Sequence, residues 1–160
     1  MFWRAPGIYT TAVGYSAGFT PNPSYQEVCT GRTGHNEVVL AVFETGKASY
    51  EDLLKIFWEG HDPTQGMRQG NDVGTQYRSA IFYANPEQKD LAQRYIAQLD
   101  AAKAFRKPIV TEVAPLDKFY AAEDYHQNYL ALHPDQPYIV YNDLPKLHEL
   151  KKQFPAWYKP

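Results

Sequence analysis

The residues able to do chemistry gather in two stretches. The first, Gln65 to Ile81 (QGMRQGNDVGTQYRSAI), spaces three glycines, Gly66, Gly70 and Gly74, around an acid, Asp72, and a phenol, Tyr77. Irregular backbone carrying polar groups between regular elements is how a binding loop is built, and equally how a solvated connection is built. The second stretch places Tyr25, Cys29 and Glu37 within thirteen residues. Glu37 stands at the head of an apolar run, where desolvation favours the protonated form and makes a general acid available near neutral pH. A solvated strand-edge carboxylate is the alternative. Asp72 accepts from a phenol or a backbone N–H, or is an ordinary turn aspartate. Tyr25 and Tyr77 on their own read as core tyrosines. Cys29, between Val28 and Thr30, is expected to be a small buried apolar residue, with a reactive thiol as the alternative. The string EDYH, Glu123 to His126, reads as loop hydrogen bonding, and no His or Cys spacing supports a metal, so none is expected.

The elements that must position these groups follow from periodicity and punctuation. Met1 to Trp3 before Pro6-Gly7 read as the last turn of a helix. Ile8 to Tyr15 is β-branched and aromatic and is predicted as a strand; residues 16–24 and then Tyr25 to His35 are predicted irregular. Glu37 to Glu44 is predicted as a strand buried on both faces. Ser49 caps a helix with Tyr50, Leu53, Leu54, Phe57 and Trp58 on one face and Asp52 in its first turn. Arg78 to Tyr83 is predicted as a strand. Asn85-Pro86, with Gln88 at the capping-box position, opens a helix running to about Phe105. Ile109 to Val113 is predicted as a strand, Phe119 to Leu130 as a weak helix, and Pro145 to Phe154 as a short helix. The order strand, strand, helix, strand, helix, strand predicts a two-layer α/β (α+β) sandwich, its sheet mixed and mostly antiparallel because no helix separates the first two strands.

A chain of 160 residues suits a single domain, 1–160. A formal charge of −2 supplies no basic field for nucleic acid. No apolar run nears the roughly 18 residues that a membrane span needs, and no Gly-rich dinucleotide fingerprint follows a strand. The single cysteine excludes an intrachain disulfide and fits a reducing compartment, so a cytoplasmic location is expected. Aromatics make up 15% of the chain and thirteen residues are tyrosine, which favours a core with polar tips or an aromatic-lined pocket.

Three strings, GYSAGFTPNPSYQEVCTGRTGHNEVV, FWEGHDPTQGMRQGNDVGTQYRSAI and FYAAEDYHQNYL, resemble in this order the peptide methionine sulfoxide reductases of type A, over Phe2 to about Leu130. The resemblance implies a ferredoxin-like core with long loops. It implies peptide-methionine (S)-S-oxide reductase activity, thiol-dependent repair of oxidised methionine in proteins or free form. It implies no bound cofactor, an external reductant such as thioredoxin, and a monomer. By resemblance Glu37 is catalytic, and Tyr25, Asp72 and Tyr77 bind substrate. The family's nucleophilic cysteine lies in a Gly-Cys-Phe-Trp-Gly motif upstream of the segment matching Phe2 to Gly7, and Cys29 matches a different cysteine. A chain beginning after that motif is expected to lack the nucleophile, to be inactive as written, and to leave a strand edge unpaired. A non-catalytic binder of oxidised methionine, or a Cys29 that has taken over as nucleophile, are the alternatives.

Overall fold

A computed structural model describes residues 1–158, with every side chain except that of Trp157. Helices and short strands alternate along the chain, and the strands form three sheets. By internal packing the residues fall into two compact units. Residues 1–13, 39–60 and those from 122 onward make one; residues 14–38 and 61–121 make the other.

In the first unit, β1 (Ile8–Ser16) contributes its first part, and the chain reaches it through a 3₁₀ turn, Phe2–Arg4, where a helical turn is predicted. Helix α2 (Tyr50–Gly60) starts at a reciprocal cap: the Asp52 N–H donates to the Ser49 hydroxyl at 3.1 Å, and the Ser49 N–H donates to the Asp52 carboxylate at 3.0 Å. Its inner face buries Leu53, Leu54, Ile56 and Trp58. Leu53 and Ile56 join Ala5, Ile8, Ala48 and Leu150 in the core. Leu150 comes from α5 (Leu144–Gln153), entered through a π-type turn at Ile139–Asp143. Strand β2 (Asn36–Phe43) departs from expectation: Val39 and Val42 are 49% and 42% exposed, not buried on both faces. A β-branched run favours an extended backbone whether or not anything covers it, so its composition overstated burial. The predicted helix over Phe119 to Leu130 is broken into β7 (Phe119–Ala121), a 3₁₀ turn at Asp124–His126 and the single-turn helix α4 (Tyr129–Leu132).

In the second unit, β7 pairs antiparallel with the end of β1, Tyr15 opposite Tyr120 and Ser16 opposite Phe119. The three-stranded sheet has the order β2-β1-β7. Strand β5 (Ala80–Tyr83) pairs parallel with β6 (Glu112–Pro115), joined by α3 (Pro86–Ala101) as a βαβ crossover. Asn85 caps α3 at the Gln88 N–H, while the Gln88 side chain accepts from the Ala84 N–H one residue before the cap. The helix ends at Ala101, four residues before the predicted end; Lys103 follows in left-handed backbone at φ 50°, and the Ala104 N–H reaches back to the Leu99 carbonyl at 3.0 Å.

Two segments predicted to be irregular are ordered. Tyr25–Cys29 is a short helix, α1, held by a capping box between Ser24 and Glu27. Within the glycine-rich loop, β3 (Arg68–Gln69) and β4 (Asp72–Val73) form an antiparallel hairpin, Gln69 opposite Asp72, turning at Gly70-Asn71. Gly70 sits at φ 59°, the left-handed conformation that a two-residue hairpin turn requires. The mixed α/β architecture expected from the element order is present. No helix among the described residues is long and apolar enough to cross a membrane.

Ile56 is 2% exposed at the centre of the first unit's core, so Ile56→Ala is expected to cost about 2–5 kcal/mol, read as a lower midpoint in urea unfolding.

Candidate active site

All four residues singled out in the sequence lie in the second unit, and the charge of Asp72 reaches Glu37 and Tyr77 while that of Glu37 reaches Tyr25 and Tyr77. Glu37 is the second residue of β2, half-buried. Its carboxyl is pushed up to about 7, first by burial and then by the negative charge of Asp72 in β4. Its Oε1 is buried and has no hydrogen-bond partner among the described residues, so nothing offsets the loss of water. Tyr77 closes a 3₁₀ turn, Thr75–Tyr77, that follows the hairpin directly. Burial raises the Tyr77 phenol most, followed by the charges of Glu37, Cys29 and Asp72, while the Gln76 side chain acts in the opposite sense.

Tyr25 starts α1 and stands one helical turn from Cys29. The hydrogen bond its hydroxyl donates to the Cys29 sulfur is the largest cause raising the phenol, ahead of burial, of the Cys29 charge, of Glu37 and of Tyr77. Cys29 is exposed, contrary to expectation. Val28 takes the inward position of α1 at 0% exposure, which turns its neighbour outward. Two phenols, two carboxyls and one thiol therefore share a single electrostatic neighbourhood, with a proton held on Glu37 near neutral pH.

The backbone that presents them is tied down closely. The Gly74 N–H donates to the Met67 carbonyl at 2.9 Å, extending the hairpin by one bond. Gly74 has φ 152°, and a Cβ there would lie 2.4 Å from the Gln76 side-chain oxygen, so the turn into Tyr77 accepts only glycine. The Asp62 N–H and carbonyl bond to the two ends of the Gln69 side-chain amide, each at 3.1 Å. Beyond Tyr77, the Ser79 hydroxyl bridges His61 Nε2 at 2.7 Å and the Thr111 hydroxyl at 2.8 Å.

Three further polar residues of this neighbourhood were not singled out in the sequence: Asn36, Gln76 and Arg78. Asn36 and Gln76 are buried, and Arg78 is 15% exposed. Nothing in residue type or spacing announces them: Asn36 bonds a backbone carbonyl, and Arg78 two carbonyls and the Glu112 carboxylate, all brought near by the fold. The N-terminal end of α1 does carry a sequence signal, the Ser24-x-x-Glu27 capping-box pattern, although the stretch is predicted irregular. Glu123 to His126 belongs to the other unit, with His126 Nε2 lying 3.9 Å from the Glu123 carboxylate. Among the described residues no group of three or more His, Cys, Asp or Glu could hold a metal ion. An open concavity of about 600 Å³ on α3, lined by Asp90, Gln93, Arg94 and Ala97, contains none of the acid and phenol groups.

A family model described as peptide methionine sulfoxide reductase matches residues 1–158. The chain belongs to this family. It is 60% identical over 136 residues to peptide methionine sulfoxide reductase MsrA 1 of Synechocystis sp., covering 84% of this chain and 61% of that one. It is 60% identical over 136 residues to the MsrA of Salinispora arenicola, covering 82% of this chain and 60% of the relative. Among solved structures, methionine sulfoxide reductase A of Corynebacterium diphtheriae aligns with a TM-score of 0.73 at 46% identity, over 83% of this chain and 68% of that one. Mxr1 from Saccharomyces cerevisiae in its reduced form aligns with a TM-score of 0.74 at 32% identity, over 80% of this chain and 73% of that one. The chain thus spans about three fifths of the length of these curated relatives.

Glu37 binds its proton more tightly in the folded protein than in the unfolded chain, where its ordinary value is 4.5. Its contribution to stability therefore falls as pH rises from about 4.5 to about 7 and is fully lost above that window. Glu37→Gln is expected to raise the melting temperature relative to the parent at pH 8 and to leave the difference much smaller at pH 4, as read by circular dichroism melts.

Proposed function

We propose that this chain carries the sulfoxide-recognising part of a peptide-methionine (S)-S-oxide reductase, which returns oxidised methionine in proteins or free form to methionine. One observation carries the reading: a carboxyl that keeps its proton to about pH 7 beside two phenols, in a member of this family. A sulfoxide presents a strongly accepting oxygen on a pyramidal sulfur, so its recognition calls for acid and phenol donors that converge. In this reading Glu37 donates to that oxygen and is the catalytic acid. Tyr25 and Tyr77 add phenol donors, and the charge of Asp72 helps keep the proton on Glu37. The Tyr25 hydroxyl donates to the Cys29 sulfur; a sulfoxide oxygen is the stronger acceptor and competes for that proton.

The chemistry that follows needs a thiolate. Its attack on the sulfoxide sulfur moves the S–O electron pair toward oxygen, and Glu37 supplies the proton that this oxygen takes up. The attack joins the two sulfurs; the protonated oxygen then passes from the substrate sulfur to the cysteine sulfur as that sulfur–sulfur bond breaks, so methionine leaves with its electron pair and the cysteine becomes a sulfenic acid. A dithiol such as thioredoxin then reduces it: one thiol forms a mixed disulfide and releases water, and the second displaces the cysteine. By the resemblance described above, the attacking thiol belongs to the family's Gly-Cys-Phe-Trp-Gly motif and not to Cys29. The reading requires no bound cofactor, since the electrons come from thiols. It takes residues 1–160 as one reductase domain, supported by the family match across both units, and places a monomer in the cytoplasm.

Calorimetry with a peptide containing the S-epimer of methionine sulfoxide tests the proposal on the chain as it stands. Binding is expected at pH 6, weaker at pH 8 as Glu37 loses its proton, and about tenfold weaker at pH 6 in Tyr77→Phe. Absence of binding at pH 6 overturns it. A parallel thiol-dependent assay separates the alternatives. Binding without turnover fits a binder of oxidised methionine, and turnover abolished by Cys29→Ser moves the nucleophile to Cys29.

A further inference from the structure

Glu37 and Tyr77 belong to segments forty residues apart in sequence, so their relative position depends on whatever joins those segments. Two side chains do so. The Asn36 amide, 2% exposed and next to Glu37, donates through Nδ2 to the Arg78 backbone carbonyl at 3.0 Å, immediately after Tyr77. The Arg78 guanidinium bonds in three directions. Nη2 donates to the Gly34 carbonyl at 3.3 Å, Nη1 to the Thr75 carbonyl at 2.9 Å, and Nε to the Glu112 carboxylate at 3.0 Å. One side chain thus holds the approach to Glu37, the turn that carries Tyr77, and strand β6.

We propose that Asn36 and Arg78 are positioning residues that clamp the segment bearing the Glu37 carboxyl against the segment bearing the Tyr77 phenol. The inference rests on the reading of those two groups as sulfoxide-oxygen donors. As sources of stability alone these bonds are inefficient. Asn36 Oδ1 is buried with no partner among the described residues, which offsets what its Nδ2 bond contributes. Arg78 spends two of its bonds on neutral carbonyls, and its charged partner Glu112 is 46% exposed. As geometric ties they suffice: a planar guanidinium with fixed donor directions sets two segments at one separation, which a flexible ammonium cannot do. The groups coupled by charge to Glu37 are Asp72 in β4, Tyr77 in the turn and Tyr25 in α1.

The test uses the whole chain with Arg78→Lys, which keeps the charge but not the three-way fork, and with Asn36→Ala. Ile56→Val, a mild core change in the other unit, is the control for lost stability. The titration midpoint of the Glu37 carboxyl is followed by carbon-13 NMR, and binding of the methionine sulfoxide peptide by calorimetry. In both clamp variants the midpoint is expected to fall by at least about half a pH unit as water reaches the carboxyl, and peptide affinity to fall about tenfold. The control is expected to leave both near the parent values. A midpoint unchanged in both variants overturns the clamp, as does an equal change in the control. Should Asn36→Ala fail to fold, Arg78→Lys decides the matter alone. If the parent chain fails to bind the peptide, the functional reading falls, while the midpoint still decides the clamp.

Discussion

A carboxylic acid is a hydrogen-bond donor only while it keeps its proton, and in water near neutral pH it does not. The second unit is organised around that constraint at Glu37. Two conditions meet it: the carboxyl is withdrawn from water, and the charge acting on it, that of Asp72, is of the same sign. A third is that its buried oxygen receives no hydrogen bond among the described residues, since N–H donors would favour the carboxylate and release the proton. Each condition fails if the surrounding backbone moves by about an ångström, so the burden shifts to the scaffold.

That scaffold is a loop with the bonding of a folded element. The hairpin from Arg68 to Val73 fixes Asp72, the Gly74–Met67 bond hands the chain on to the turn holding Tyr77, and Ser79 anchors the next segment to His61 and Thr111. Parallel pairing of β5 with β6 then ties this segment to the far end of the α3 crossover. Loops that bind ligands are commonly the least stable parts of a fold. Here local hydrogen bonds substitute for the apolar burial that such a glycine-rich stretch cannot supply.

Most of the skeleton was legible because it depends on local signals. The apolar face of α2, its Ser49 cap and the Asn85-Pro86 start of α3 all state themselves in residue type and spacing. The failures have a common cause, which is that local patterns report conformation better than environment. Val39 and Val42 signal a strand correctly, but their type says nothing of what covers them, and both are exposed. The hairpin at Gly70-Asn71 and the capping box at Ser24 were written in the sequence, but each is a short element inside a stretch dominated by glycine and proline. Lys103 follows the end of α3 in a left-handed conformation that glycine usually marks, so no residue type announced it. At the site, residue type alone leaves Glu37 and Tyr77 ambiguous, because most of the groups that act on them come from distant parts of the sequence. Arg78 and Asn36 were not legible at all, since a bond to a backbone carbonyl leaves no trace in the partner's identity.

The same neighbourhood has to keep positive charge from undoing the work of Asp72. His35 lies two residues before Glu37 and is 2% exposed. The Gly18 N–H donates to its Nδ1 at 3.0 Å, and an N–H can only donate, so that nitrogen carries no proton. The proton sits on Nε2, which donates to the Thr20 carbonyl at 2.7 Å. The ring is therefore held as a neutral imidazole by two backbone groups, and contributes shape without charge. Arg78 cannot be neutral, but its guanidinium is faced by the Glu112 carboxylate at 3.0 Å and turned toward two carbonyls. One potential cation is fixed in its uncharged tautomer and the other is paired, which leaves the field at Glu37 governed by its burial and by Asp72. A protonated acid at this position is thus a property of the whole unit: it follows from which bonds the neighbours make as much as from where Glu37 itself is placed.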